Sequence, residues 1–283
     1  MSDLSCKSGN LERLYSIIKW VEDLHTDEGR KRLKASIDVF RKIKEHRWFK
    51  ELVSKKRKIK LLDVCGGTGI GGLALAKTLL EIGLEIDLVV NDLRKDALSK
   101  AKIFSKEILG KEASVILDDA TRLHKHGLQF DIALLYGLTT PHFSPYDMVK
   151  LISSVSKVLV PSGLFLLEET DRLYNIFYLL GYKDLVIEGV DNERIVLSLH
   201  VKHDVRKGTF ERMTLNLIDM SRTLNDVYYW DVASTAALLW VFFTDVDYIP
   251  IGKETRGMLI STKPRSIDVN QYQNYPAIIA SQQ

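Results

Sequence analysis

The chain has 283 residues, of which 46% are hydrophobic and 27% are charged, and its formal net charge is +3. This balance is typical of a folded globular protein and excludes an intrinsically disordered one. No apolar run is long enough to span a bilayer, and the first residues lack the apolar core of a signal peptide. Because only two cysteines occur, Cys6 and Cys65, a disulfide framework is not expected, and we predict a cytoplasmic protein with no membrane partner.

Residues 1–58 are predicted to form an N-terminal helical cap. Apolar residues recur there at steps of three and four, which predicts one helix over 10–26 and a second over 28–53. Residues 30–60 hold fourteen Lys or Arg against three Asp or Glu, which is a local charge of +11. A solvated helix face is the simplest interpretation, but a nucleic acid partner remains open.

Residues 59–170 are predicted to be the cofactor-binding core. Short apolar segments predict five strands, over 59–64, 87–90, 114–117, 130–135 and 163–167. Helical segments lie between most of them, and this alternation predicts an α/β fold with a mainly parallel sheet and helices on both faces.

The pattern changes after Glu169. Residues 171–230 are predicted to form an antiparallel insertion that acts as an acceptor lid, with strands over 183–190, 194–205 and 209–220. In the middle strand Ile195, Leu197 and Leu199 share a face, and we expect that apolar face to be covered. The last two predicted segments are 231–263, a final helix and strands that complete the core, and 264–283, a polar tail.

A glycine-rich loop follows the first predicted strand. The loop comprises Asp63, Cys65, Gly66, Gly67, Thr68 and Gly69. Glycine allows a tight turn and lets the backbone approach a ligand that a Cβ atom would obstruct. Asp92 ends the second strand, where a carboxylate can accept both ribose hydroxyls of a nucleoside. Asp119 follows the third strand, where a carboxylate can receive the exocyclic amine of adenine.

In this order and spacing, the motifs of residues 59–169 resemble those of the class I S-adenosylmethionine-dependent methyltransferases. The resemblance implies a Rossmann-like sheet, S-adenosylmethionine as cofactor, Asp63 and the loop beside its methionine part, Asp92 on the ribose and Asp119 on the adenine. The other expected cofactor contacts are Leu93, Ala120 and Tyr136. Cys65 departs from the family, because it stands where the first loop glycine is usual.

The resemblance also implies that a tyrosine or arginine of the leading helices contacts the methionine end of the cofactor. Tyr15 and Arg41 are the candidates.

A dinucleotide site is the alternative interpretation of the same loop. Residues 67–72 satisfy the G-x-G-x-x-G pattern, and Asp92 follows at a suitable distance. The charge of Asp63 at the strand end and the Asp119–Ala120 pair favour the methyltransferase. An NAD-binding oxidoreductase therefore remains the alternative.

Direct in-line transfer mainly requires alignment of the acceptor, and a general base is needed only for a protonated acceptor. Residues after the fourth and fifth strands should face the methyl group, and the catalytic candidates are Tyr136, His142 and Glu169. No His/Cys cluster has zinc-site spacing, so no metal is predicted. We predict methyl transfer to a small-molecule acceptor, with RNA, bound through residues 30–60, as the alternative.

Overall fold

The computed structural model describes residues 2–252 and 255–280, with the backbone alone for residues 2–7. The first residue of the predicted cap, the side chain of Cys6 and the last three residues of the predicted tail lie outside this description. Within the described ranges, no helix combines the length and apolar character that crossing a bilayer requires.

Three helices precede the first strand: α1 (Ser2–Ile18), α2 (Asp27–Ile43) and α3 (Arg47–Ser54). The helix predicted over 10–26 therefore lies earlier in the chain, and the one predicted over 28–53 is divided in two. His46 marks the division, because its backbone is extended and its ring accepts a hydrogen bond from the Trp48 amide at 3.3 Å, as an N-cap residue does. Phe40 of α2 is fully buried, so this helix packs into the core of the sheet.

The parallel strands are β1 (Lys58–Asp63), β2 (Glu85–Asp92), β3 (Ser114–Leu117), β4 (Phe130–Leu135) and β5 (Leu159–Thr170). Their connecting helices are α4 (Ile70–Leu80), α5 (Lys95–Leu109) and α6 (Pro145–Lys157). Leu61 of β1 packs with α2, α4 and α5, whereas Leu62 packs with α6 on the other face. The predicted α/β sheet with helices on both faces is confirmed.

The order of these strands creates the site. It runs β5-β4-β1-β2-β3, so the direction of winding reverses between β1 and β4. A crevice opens beyond the carboxyl ends of the strands at such a reversal, and it is where α/β sheets bind ligands.

The final segment extends the sheet at the β5 edge, with α7 (Val232–Phe242), β10 (Phe243–Pro250), β11 (Arg256–Pro264) and a short helix, α8 (Ala277–Ala280). β11 pairs antiparallel with β5, and β10 pairs with β11. Val269 and Ile279 of the predicted polar tail are buried, so part of this tail packs against the core.

The insertion forms a separate antiparallel sheet of four strands in the order β6 (Leu185–Asp191), β7 (Arg194–Asp204), β8 (Thr209–Asn216) and β9 (Arg222–Val227). The sequence predicts three strands, because the turn after Asn216 falls within the segment predicted over 209–220. The prediction that the face of Ile195, Leu197 and Leu199 is covered is also wrong. Val196 and Ser198 are buried, whereas Ile195 on the apolar face is 36% exposed.

Candidate active site

Asp63 is a buried carboxyl group at the carboxyl end of β1. Its Oδ2 accepts a hydrogen bond from the Gly72 amide at 2.7 Å, which ties β1 to the first turn of α4. Its Oδ1 has no hydrogen-bond partner among the described residues. Burial raises the pKa of Asp63 to about 7. Asp63 lines the large cavity at this edge of the sheet, and a ligand cation or N–H donor that reached Oδ1 would satisfy it.

The loop after β1 needs glycine because the backbone passes directly over Asp63. A Cβ atom at Gly66 would lie 2.5 Å from the Asp63 Oδ2 atom, and one at Gly72 would lie 2.7 Å from it. Cys65 has φ of 52°, a left-handed conformation that costs a non-glycine residue about 1–2 kcal/mol. Burial, reinforced by Asp92, raises the pKa of the Cys65 thiol well above its ordinary value, so the thiol stays protonated.

Asp92 at the end of β2 connects the loop to an ion-pair network. Its Oδ2 accepts from the Gly67 amide at 2.8 Å, and its Oδ1 accepts from the backbone and side chain of Arg94 at 2.8 and 3.3 Å. The Arg94 guanidinium in turn donates to both carboxylate oxygens of Glu22, at 2.8 and 2.9 Å. Burial raises the pKa of Asp92, against the opposing effect of Arg94. Neither Arg94 nor Glu22 was predicted as a site residue, because their pairing depends on contacts between distant segments.

Asp119 lies two residues after β3, and the resemblance implies that it contacts the adenine. Its Oδ1 accepts from the amide and hydroxyl of Thr121 at 2.9 and 2.8 Å, which caps the following 3-10 turn. Asn91 holds this corner, because its Nδ2 donates to the carbonyl oxygens of Ile116 and Asp118 at 3.1 and 2.7 Å. The ends of β2 and β3 are thus fixed against each other.

Tyr15 of α1 lies over the same network. Its ring centroid is 4.3 Å from the Arg94 Cζ atom, and its hydroxyl is 3.4 Å from the His142 Nε2 atom. Burial raises the pKa of Tyr15 above its ordinary range. Burial, with Arg172 and Arg94 adding to it, lowers the pKa of His142 to about 4. His142 is therefore a neutral imidazole near pH 7, and a neutral imidazole can accept a proton.

Tyr136 follows β4 and closes the floor of the site. Its ring packs against Gly71, where a Cβ atom would lie 3.0 Å away, and its centroid is 5.1 Å from that of Phe40. Burial raises the pKa of Tyr136, and the neighbouring Glu168 adds to the shift. Glu168 itself accepts from the Gly137 amide at 2.8 Å and pairs with Arg256.

Glu169, the acidic catalytic candidate, lies elsewhere. It is fully buried, and its Oε1 pairs with Arg172 and accepts from the Thr140 hydroxyl at 3.1 Å. Its Oε2 accepts from the Thr235 hydroxyl of α7 at 3.3 Å. Successive residues of a strand point to opposite faces, and this carboxylate does not line the cavity. The network joins β5 to the loop after β4 and to α7.

A single cavity of about 690 Å³ opens beyond β1 and β4. Every expected cofactor residue lines it except Gly69, whose φ of 83° instead ends the loop at the start of α4. His142 and Tyr15 also line it, whereas Arg41 pairs with Glu81 at 2.5 Å on the surface. Strands β8 and β9, from the segment predicted to be the acceptor lid, and the chain after β11 complete the wall. The part played by the chain after β11 was not predicted, because no local pattern marks its packing.

The basic segment lies mainly on exposed helix surface, where acidic neighbours partly neutralise it. Lys50 pairs with Glu45 at 2.7 Å, Lys55 with Glu51 at 2.8 Å and Lys56 with Asp131 at 2.5 Å. No group of three or more His, Cys, Asp or Glu side chains within the described ranges could hold a metal ion.

Comparison with solved structures supports the fold. A protein from Pyrococcus horikoshii, PH0226, is 20% identical, with a TM-score of 0.60 over 89% of this chain and 98% of its own. An S-adenosylmethionine-dependent methyltransferase from Clostridium acetobutylicum is 15% identical, with a TM-score of 0.55 over 76% and 89%. The CcbJ methyltransferase from Streptomyces caelestis is 12% identical, with a TM-score of 0.56 over 75% and 87%. A search of curated proteins finds no match.

Residues 61–163 match the family model described as a methyltransferase domain. The matched segment begins in β1, contains the glycine loop, Asp92 and Asp119, and ends in β5. The family assignment made from the motifs is thereby confirmed. Residues 61–163 therefore form a methyltransferase domain, and the similar solved structures share its Rossmann-like fold.

Proposed function

We propose that this protein transfers the methyl group of S-adenosylmethionine directly to a small-molecule acceptor held in the same cavity. The observation that carries the proposal is the continuity of that cavity, which reaches from Asp63 and Asp92 to Thr209 and Tyr275. A volume of about 690 Å³ lies within the usual range for small-molecule sites.

The residues at the inner end fit the cofactor. The unpartnered Asp63 Oδ1 suits a cationic ammonium, and the glycine backbone beside it leaves the room that a Cβ atom would fill. Asp92 and Asp119 stand at the ends of adjacent strands, where they would hold the ribose and the adenine. The dinucleotide alternative makes no use of the Asp63 oxygen.

When bound, S-adenosylmethionine supplies an electrophilic methyl group, so the protein mainly has to align the acceptor. Alignment of this kind is worth about 7–11 kcal/mol. Tyr15, Tyr136 and His142 line the same cavity and would position the acceptor. His142 is neutral near pH 7 and would accept a hydrogen bond from a hydroxyl or amine acceptor, whereas a pKa of about 4 makes it a weak general base. Glu169 is assigned a structural part, because it lies outside the cavity.

Thermal unfolding with S-adenosylhomocysteine, with NAD and with no ligand tests the proposal. A ligand at 100 times its Kd adds about 2.7 kcal/mol to the free energy of unfolding, which raises Tm by several degrees in a protein of this size. A rise with S-adenosylhomocysteine alone is expected, and Asp92→Ala should abolish it. A rise with NAD alone would overturn the proposal.

The small-molecule part of the proposal has its own test. RNA binding through the basic segment would weaken steeply as salt increases. Retention of RNA on immobilised protein should be weak and flat with salt, and a steep salt dependence would favour the RNA alternative instead.

A further inference from the structure

The outer end of the cavity carries an excess of negative charge. We define this outer end by Tyr146, Asp147, Lys207, Thr209, Glu211 and Asp226. Three of these residues are carboxylates, and Lys207 is the one base among them.

Two of the carboxylates face each other across a strand pair. Glu211 of β8 lies directly opposite Asp226 of β9, and directly opposed residues have Cβ atoms about 4.5–5.5 Å apart. Like charges in such a pair are destabilising. Lys202 approaches Glu211 only at 3.7 Å, and Asp226 has no ion-pair partner in the part of the chain that the structure describes. A cation from solution would relieve this repulsion.

The same wall holds a polar group without a partner. Thr209 is 3% exposed, and its hydroxyl makes no hydrogen bond to any described residue. Leaving such a buried group unsatisfied costs about 1–3 kcal/mol. Thr209 shares its face of β8 with Glu211 and lines the cavity, so a ligand oxygen would satisfy its hydroxyl there.

We propose that the acceptor is a small amine that carries a hydroxyl or carbonyl oxygen near its nitrogen. Its ammonium lies against Glu211 and Asp226, and its oxygen binds the Thr209 hydroxyl. Asp147 adds negative charge across the cavity while it accepts from Ser144 and Tyr275 at 2.6 and 2.5 Å. This inference rests on the proposed function, because it takes the outer end to be the acceptor side.

Calorimetric titration of the full chain tests it, with and without saturating S-adenosylhomocysteine. The probes are glucosamine and ethanolamine, each compared with its neutral counterpart, glucose or ethylene glycol. At least one amine should bind ten times more tightly than its counterpart, and Glu211→Gln and Asp226→Asn should each remove most of that preference. Glu188→Gln, on the exposed face of β6, is the matched control and should leave binding unchanged.

Equal binding of amine and neutral counterpart, or no binding of either amine, would overturn the inference. Failure of the proposed function gives a different result, because S-adenosylhomocysteine itself would then not bind. Amine preference without S-adenosylhomocysteine binding would support the outer site while removing the proposed methyl transfer.

A second, independent observation concerns the two faces of the inserted sheet. Its apolar face is exposed, and its polar face is buried. Leu185, Ile187 and Val190 of β6 share one face with Leu199, Leu197 and Ile195 of β7, their directly paired residues. On this face Ile187 is 63% exposed and Val190 is 65% exposed. The opposite face buries polar groups, among them Ser198, Arg212 and Thr214.

We infer that a second copy of this chain covers the apolar face, through a two-fold contact that includes the free edge of β6. Leu185 is 51% exposed beside Ile187 and Val190, and a contiguous apolar face left this open marks an interaction site. The six paired residues named above carry no charge, so a two-fold contact over β6 and β7 brings no like charges together there. An unpaired strand at its border can also pair with its symmetry mate.

Sedimentation velocity of the full chain at micromolar concentration tests this assembly. A dimer is expected, and Ile187→Lys should shift the population to monomer by at least tenfold in Kd. Ile103→Lys is the matched control, since Ile103 is 50% exposed on α5 and should leave the dimer intact. A monomeric wild type, or a dimer that Ile187→Lys does not weaken, would overturn the inference.

Discussion

The hydroxyl of Tyr15 lies 3.4 Å from the Nε2 atom of His142, and this contact joins α1 to the loop that follows β4. The two residues are 127 positions apart in the chain, and both line the cavity. Arg94 lies under the Tyr15 ring and links the contact to Asp92. The N-terminal helix therefore brings an aromatic ring and a neutral imidazole to the place where the proposed acceptor would meet the cofactor.

We expect His142 to titrate far below an ordinary histidine. Because its folded-state pKa is about 4 and its unfolded value is near 6.5, the folded state binds fewer protons between these values. The free energy of unfolding should therefore fall as pH decreases from 6.5 to 4, and His142→Gln should reduce that fall. NMR titration of the imidazole resonances would check the midpoint directly, with the variant identifying the signal. A midpoint near 6.5 would contradict the expectation.

Asp63 should produce the opposite pH dependence. Its folded-state pKa of about 7 lies above the unfolded value of 3.8, so the folded state holds a proton that the unfolded state has lost. The free energy of unfolding should decrease as pH rises from about 4 to above 7, by about 4 kcal/mol at most. Asp63→Asn should remove this decrease. Denaturant unfolding of both proteins at pH 5, 6, 7 and 8 measures it, and parallel curves would contradict the assignment.

Two glycine substitutions should act in opposite directions. Gly66→Ala would place a Cβ atom 2.5 Å from the Asp63 carboxylate and 2.9 Å from Val90, which should cost about 1–3 kcal/mol and abolish S-adenosylhomocysteine binding. Gly9→Ala meets no atom within 4 Å and lies inside α1, where it should stabilise by about 0.5–1 kcal/mol. Thermal unfolding and calorimetry of both variants compare them. Unimpaired ligand binding in Gly66→Ala would refute the close approach.

The inner end of the site was predictable because its signals are local. The glycine loop and Asp119 follow a strand within two residues and Asp92 ends one, so a strand pattern is enough to place them. The pairing of Arg94 with Glu22 was not predictable, because it joins residues 72 positions apart. Such a contact depends on how α1 and α2 pack, and that packing leaves no periodic mark in the sequence.

The inserted sheet shows a different limit. Alternation correctly predicts that Ile195, Leu197 and Leu199 share a face, but it does not reveal which face the rest of the molecule covers. Here the covered face holds Arg212, which donates to the Ser198 hydroxyl at 2.7 Å and to the Tyr182 hydroxyl at 2.8 Å. Hydrogen bonds satisfy the buried polar groups, so burial does not require an apolar face.

Glu169→Gln should lower the free energy of unfolding without weakening the binding of S-adenosylhomocysteine, which distinguishes a structural role from a catalytic one. The substitution leaves the Arg172 guanidinium buried without its carboxylate, and breaking a buried pair in this way costs about 3–5 kcal/mol. Because Glu169 lies outside the cavity, the affinity for S-adenosylhomocysteine should change by less than about twofold, below 0.5 kcal/mol. Denaturant unfolding and calorimetry on the same preparation give both quantities.

Glu51→Gln is the matched control, since Glu51 pairs with Lys55 at 2.8 Å on the exposed surface of α3 and its loss should leave the free energy of unfolding nearly unchanged. If the Glu169→Gln protein is as stable as this control but has lost its affinity for S-adenosylhomocysteine, Glu169 has a role in the active site and the structural assignment is wrong. A free energy of unfolding that is several kcal/mol lower, with affinity retained, would establish that the Glu169 carboxylate holds β5, the loop after β4 and α7 together.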